Sequence, residues 1–208
     1  MPGGEALLGF MGAALIVLLI PGLGVMYVVA RSVNQGTRAG LLSVLGLATG
    51  ALLQVVAATL GLSAILLASP AAFGIVKILG AGYLIFLGVR TVWARPKALT
   101  AQNSARLSPL RLYSGGVVVS AFNPKIALFF LAFLPQFVEP GRGPISRQVL
   151  ILGFIYIAMA LVTDGAYALL AGSVGARFTQ PLARRPVLRY LSGGVYLALG
   201  LCMALLSR

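Results

Sequence analysis

Six stretches of this 208-residue chain, roughly 6–30, 40–67, 71–93, 112–138, 147–173 and 187–206, are long and nearly free of charge. A helix that crosses a bilayer needs about 20 largely apolar residues, and each stretch qualifies. Only 9% of the residues are charged and 60% are hydrophobic; a soluble domain carries roughly a quarter charged residues. With no water in the hydrocarbon to satisfy backbone groups, runs of this length are expected to be helices. The sequence therefore predicts an all-α integral membrane protein with six transmembrane helices in a single domain over residues 1–208. Met1-Pro2-Gly3-Gly4-Glu5 lacks the basic start of a signal peptide, so the first apolar segment is expected to be retained.

The net charge is +13, from 16 Lys or Arg against Glu5, Glu139 and Asp164. The basic residues sit in short linkers rather than on one continuous face. They read as topology determinants and as contacts to anionic lipid head groups, not as a nucleic-acid surface. Arg31, Arg38, Arg90, Arg95, Lys97, Arg106, Arg111, Arg177, Arg184, Arg185 and Arg189 fall on one side; Lys77, Arg142, Arg147 and Arg208 fall on the other. The positive-inside rule then places the N-terminus outside and the three basic loops, including a linker over about 94–111, in the cytoplasm.

Two of the apolar segments are interrupted by proline, at Pro21-Gly22-Leu23-Gly24 and at Asn123-Pro124-Lys125. Proline lacks an N–H and clashes with the preceding turn, so helices 1 and 4 are expected to be broken there. The chain also reads as a tandem repeat of three spans, about 6–93 and 112–206. Lys77 to Gly88 aligns with Arg189 to Gly200, keeping Leu79/Leu191, Gly82/Gly194, Leu87/Leu199 and Gly88/Gly200. Because three is odd, the halves have opposite topology, an inverted-repeat design in which interrupted helices point to a binding site.

A helix restarting after Pro21 or Pro124 presents unpaired N–H groups and the positive end of its dipole, which suits a carboxylate. Gly22 and Gly24 let a ligand approach the backbone; Asn123 adds an amide and Lys125 a positive charge. The candidate substrate-binding residues are thus Pro21, Gly22, Gly24, Asn123, Pro124 and Lys125. The competing reading is ordinary kinks stabilised by neighbouring helices. Asp164 is the one acid inside a span, where an unpaired carboxylate costs several kcal/mol. Counting about 1.5 Å per residue, Lys125 lies roughly 20 Å and Asp164 roughly 13 Å from the cytoplasmic face. Asp164 reads equally as a proton carrier or ammonium partner, or as half of a static ion pair with Lys125. Gly46 and Gly50, four apart, read as close helix packing with Gly40 and Gly61. Gln54 and Thr49 are polar additions to that helix, Trp93 and Tyr113 interface anchors, and Glu139 and Arg142 solvated loop charges.

Other classes fare poorly. Cys202 is the single cysteine and histidine is absent, so no disulfide, metal cluster, haem site or redox relay can be assembled. No nucleophile–base pair and no Gly-rich phosphate loop is present, which argues against an enzyme and against ATP coupling. No cofactor is implied. One intramembrane acid is too few for a divalent-cation site.

At these residues the chain resembles the lysine exporter / homoserine-threonine exporter (LysE/RhtB) family of amino-acid efflux proteins. The resemblance runs over nearly the whole chain: Pro21-Gly22, Asn34-Gln35-Gly36 followed by Gly40, Gly46-x-x-x-Gly50, Lys77-x-x-Gly80-Ala81-x-Tyr83-Leu84-x-x-x-Gly88, Asn123-Pro124-Lys125 and Leu134-Pro135-Gln136-Phe137. Many members read Pro-Gly-Pro-Asn in the first helix, where this chain has Leu23 and Gly24, so the substrate type stays open. The resemblance implies a secondary transporter of the bacterial inner membrane that exports an amino acid or related zwitterion by proton antiport. A homodimer is a further family-level expectation. An exporter or channel for another small solute or ion is the alternative.

Overall fold

The computed structural model describes residues 2–68 and 106–174, with isolated positions at 82, 85, 86, 89, 93, 194 and 197. Nearly all of the third and sixth expected spans, the aligned segments at Lys77 and Arg189, and Cys202 lie outside the described residues.

The described residues are helical, with no strand among them. The helices are α1 (Gly4–Leu19), α2 (Leu23–Gln35), α3 (Thr37–Ala68), α4 (Pro109–Ala121), α5 (Pro124–Leu128) and α6 (Ile145–Val174). By length and composition, Thr37–Gly61 and Ile145–Ser173 can each cross a membrane alone. α1 with α2, and α4 with Pro124–Phe137, reach that standard as bent pairs, at 51° and 42°.

A proline stands at each bend. Ile20 and Asn123 each precede a proline and are extended, with ψ of 117° and 109°, because the proline ring disfavours the helical region for its predecessor. Pro124 then starts α5 at a position where its missing N–H costs nothing. A third proline, Pro135, cannot donate to the turn before it. There the chain passes through a π turn, Phe129–Phe133, with the Leu134 N–H bonded to the Phe129 carbonyl, and on into 3₁₀ geometry at Leu134–Phe137. The fourth apolar segment, expected to be interrupted at Pro124 alone, is therefore irregular beyond Leu128 as well.

The linker expected over Arg31 to Ala39 shrinks to one residue. Gly36 adopts φ +85°, a left-handed value that glycine accepts without strain. Its N–H closes α2 on the Ser32 carbonyl at 2.9 Å, and α3 begins at Thr37.

α3 is the central helix, packed mainly against α4 and α6. A Cβ added to Gly46 would strike the Tyr113 carbonyl, one on Gly50 the Val117 carbonyl, and one on Gly116 the Ser43 carbonyl. The two backbones thus meet directly, as small residues allow in membrane helices. At Gly61, by contrast, an added Cβ would meet nothing within 4 Å among the described residues. Away from α4, an aromatic group of Phe10, Phe129, Phe130, Phe133 and Tyr156 fills the core, with Phe130–Tyr156 ring centroids at 5.0 Å. Leu45, Leu53 and Leu60 on α3 and Phe154, Val162 and Leu169 on α6 are exposed, an apolar surface suited to lipid.

Two groups read from the sequence as loop charges and an interface anchor also make contacts. Glu139 and Arg142 pair with each other, and the Glu139 carboxylate also accepts from the Gly3 N–H at 3.3 Å, tying the loop to the start of α1. Tyr113 shares a 2.8 Å hydrogen bond with Thr49 across the α3–α4 seam, so it joins helices as well as lying near a helix end.

Candidate functional site

The end of α1 leaves carbonyls without intrahelical partners. Two side chains from distant parts of the chain take them. The Tyr167 hydroxyl on α6 donates to the Leu19 carbonyl at 3.0 Å. The Lys125 ammonium donates to the Ile20 carbonyl at 2.8 Å. To reach it, the Lys125 side chain runs over Gly22: a Cβ there would lie 3.4 Å from both Cδ and Nζ. On the other side of the break, Gly22 is the N-cap of α2 and supplies no capping side chain, so the first N–H groups of α2 have no side-chain cap among the described residues.

The second break is capped from within and from α3. The Asn123 side-chain oxygen accepts from the Lys125 N–H at 3.0 Å. That oxygen is committed to the start of α5 rather than free for a ligand. The Gln54 amide nitrogen lies 2.6 Å from the Ser120 carbonyl, 3.0 Å from that of Ala121 and 3.3 Å from that of Asn123. A single buried amide thereby serves three carbonyls at the end of α4.

Between the two breaks lies a cavity of about 40 Å³, room for a few water molecules. Gly22, Gly24, Asn123, Lys125 and Asp164 all line it, together with Ser120. The rest of its wall is apolar and includes Val25, Leu47, Ala51 and Tyr156. Pro21 and Pro124 are not among the lining residues; Pro21 lies between α1 and α2, and Pro124 is the first residue of α5. Lys125 and Asp164 make no direct ion pair. The salt bridge among the described residues is Arg142–Glu139, while Lys125 is held by a carbonyl. A cation and an acid therefore face one small cavity, with its apolar wall around them. Among the described residues no group of three His, Cys, Asp or Glu could hold a metal ion.

Three participants carry only weak sequence signals. Gln54 is a buried amide in a membrane helix, and such a group needs internal partners; the sequence does not say which. Tyr167 stands three residues after Asp164, on the same helical face. Ser120 is fully buried, three residues before Asn123.

Comparison with known proteins bears on this arrangement. The profile of a family described as LysE type translocator matches residues 15–207. A homoserine/homoserine lactone efflux protein of Salmonella typhimurium is 33% identical over 187 residues, covering 89% of each chain. A membrane protein of Vibrio cholerae serotype O1, described as uncharacterized, is 29% identical over 198 residues, 95% of each chain. A leucine efflux protein of Salmonella typhimurium is 27% identical over 169 residues, covering 76% of this chain and 78% of its own. No solved structure matches the chain.

Proposed function

Because this chain belongs to the LysE type translocator family, we propose that it is a secondary exporter of amino acids or related small zwitterions, driven by proton antiport. The observation that carries the reading is the meeting of the two breaks: Lys125 of one reaches the Ile20 carbonyl of the other, and Asp164 lines the same cavity. A zwitterion needs one cation and one acid at close range, neither neutralised by the other. Its carboxylate faces Lys125 and the N–H groups that start α2; its ammonium faces Asp164. Gly22 and Gly24 keep the approach clear, Asn123 holds the turn that aims Lys125, and Pro21 and Pro124 fix the breaks. Relatives named for homoserine and for leucine efflux support an amino-acid substrate.

In this reading each bent pair is one span. With the third and sixth apolar segments they make six, arranged as two inverted repeats in the bacterial inner membrane. The N-terminus is outside, the basic loops contact anionic lipid in the cytoplasm, and the protein is a homodimer. Asp164 carries the coupling proton. The cavity takes only a few waters as it stands, so export requires it to widen.

The test loads proteoliposomes with a panel of labelled amino acids and follows efflux with and without an imposed pH gradient. Gradient-stimulated efflux of at least one of them is expected. Efflux of every amino acid at the rate of protein-free liposomes sinks the proposal. Conduction of small ions without any exchange favours a channel instead.

A further inference from the structure

The joint between α1 and α2 runs from Ile20 to Gly22, and side chains from two other elements are fastened to the carbonyls that lead into it. The Tyr167 hydroxyl on α6 holds the Leu19 carbonyl at 3.0 Å, and the Lys125 ammonium on α5 holds that of Ile20 at 2.8 Å. Both fastenings stand beside the charged residues of the cavity. Lys125 is itself a lining residue; Tyr167 lies about one helical turn beyond Asp164, which is another. The joint is cavity wall as well, since Leu18, just before it, and Gly22, at its end, both line the space. Around the cavity, α1, α5 and α6 are thus cross-tied at two adjacent carbonyls.

Little else fixes the joint in place. Pro21 has no N–H, and α1 and α2 meet at 51°, so no helical ladder runs across it. Leu18 and Ile20 sit in the apolar core, where contacts are non-directional. A hydrogen bond, by contrast, has a required distance and angle. The cavity of about 40 Å³ takes a few waters and no amino acid, so transport requires part of its wall to move.

We propose that Tyr167 and Lys125 form a two-point clamp on the end of α1 that keeps the cavity closed, and that the cavity opens when both bonds part and the Leu18–Gly22 stretch swings away. Tyr167 is a positioning residue: it is not among the lining residues and acts through the Leu19 carbonyl. The need to open rests on the amino-acid exporter reading, and the clamp deepens that reading by naming the wall that moves.

The test reads opening without relying on transport. Cys202, the single native cysteine, is replaced by serine. A reporter thiol is then placed by Ala51→Cys, at a lining position 3% exposed. A control reporter, Ala58→Cys, lies in the apolar core at 4% exposed and does not line the cavity. Full-length protein in proteoliposomes is treated with N-ethylmaleimide, and the labelling rate follows the fraction of molecules that are open. Loss of one hydrogen bond raises a minor open fraction about two- to tenfold. Tyr167→Phe and Lys125→Met are each expected to speed Ala51→Cys labelling by that factor, and their combination by more than either. Ala58→Cys labelling is expected to stay as it was. An unchanged Ala51→Cys rate in either single variant overturns the two-point clamp. So does an equal rise at Ala58→Cys, which means general loosening. Should one variant not fold, the other decides by the same criterion. Efflux of labelled amino acids from the same vesicles keeps the two readings apart. Export with labelling indifferent to Tyr167 and Lys125 overturns the clamp alone; labelling that follows them without export of any amino acid supports the clamp and overturns the exporter reading alone.

Discussion

The ammonium of Lys125 donates to the carbonyl of Ile20 at 2.8 Å, joining two helix breaks that lie 105 residues apart in the chain. The same side chain lines the cavity that Asp164 enters from α6. Lys125 therefore has two places for its three N–H donors: a backbone carbonyl that ends α1, and the space where a substrate carboxylate would stand.

Replacing Lys125 with methionine separates those roles. The Ile20 carbonyl loses its partner, which costs about 1–3 kcal/mol. An intramembrane cation, itself costly to bury, is removed at the same time. The two effects oppose, so the net change in stability should be smaller than the lost hydrogen bond alone. Export should fall at least about tenfold, since one charged hydrogen bond to substrate is worth that much. Thermal unfolding in detergent and efflux rates on the same preparation check both halves; full export by Lys125→Met would remove Lys125 from the site.

Gly46 and Gly61 offer a matched test of the α3–α4 seam. A methyl group on Gly46 would strike the Tyr113 carbonyl and also meet Gly116, and neither backbone can yield without parting the helices. Gly46→Ala should destabilise the protein by about 1–3 kcal/mol, as overpacking does. Gly61→Ala meets nothing within 4 Å among the described residues and gains helix propensity, so it should be neutral or stabilise by up to about 1 kcal/mol. Parallel unfolding curves for the two variants decide it; similar midpoints would mean that the seam is loose.

What the sequence makes legible is local. The runs at 40–67 and 147–173 lie within a few residues of Thr37–Ala68 and Ile145–Val174, because sustained apolar composition has one solution in a membrane. Proline chemistry at 21 and 124 can be read in the same way, since the missing N–H belongs to the residue itself. The caps cannot. Gln54 finds the carbonyls of α4 across 66 to 69 residues, and Tyr167 finds Leu19 across 148. Nothing near Gln54 or Tyr167 in sequence names those partners. The one-residue turn at Gly36 hides for another reason: basic residues on both sides resemble a solvated loop, while a single left-handed glycine suffices to reverse the chain. Gly22, Gly24, Asn123, Lys125 and Asp164 could each be picked out singly; their common cavity is a tertiary fact.

Gln54 should matter more to stability than its lone polar group suggests. Leucine in its place leaves the carbonyls of Ser120, Ala121 and Asn123 without their shared donor inside an apolar seam. Loss of about 1–3 kcal/mol is expected even if only one of the three pays the full desolvation cost. Gln54→Leu should therefore unfold at markedly lower temperature or denaturant concentration than the wild type. An unchanged midpoint would show that the end of α4 is capped in some other way.

The proposed proton coupling rests on Asp164. Glu5 lies in the first turn of α1 and Glu139 in the loop before α6, whereas Asp164 lines the cavity that Lys125 also lines. If it carries the coupling proton, Asp164→Asn keeps the shape and the hydrogen-bonding reach of the side chain but fixes it in a neutral form. Export should then lose its response to a pH gradient, while exchange of labelled for unlabelled substrate continues, because exchange needs no net proton movement. If Asp164 serves only as an electrostatic companion to Lys125, the gradient response survives and the change appears as weaker binding. Proteoliposomes holding Asp164→Asn, assayed for gradient-driven efflux and for counterflow in the same batch, separate the two. A full gradient response would exclude Asp164 from proton coupling and leave it the companion of Lys125 alone.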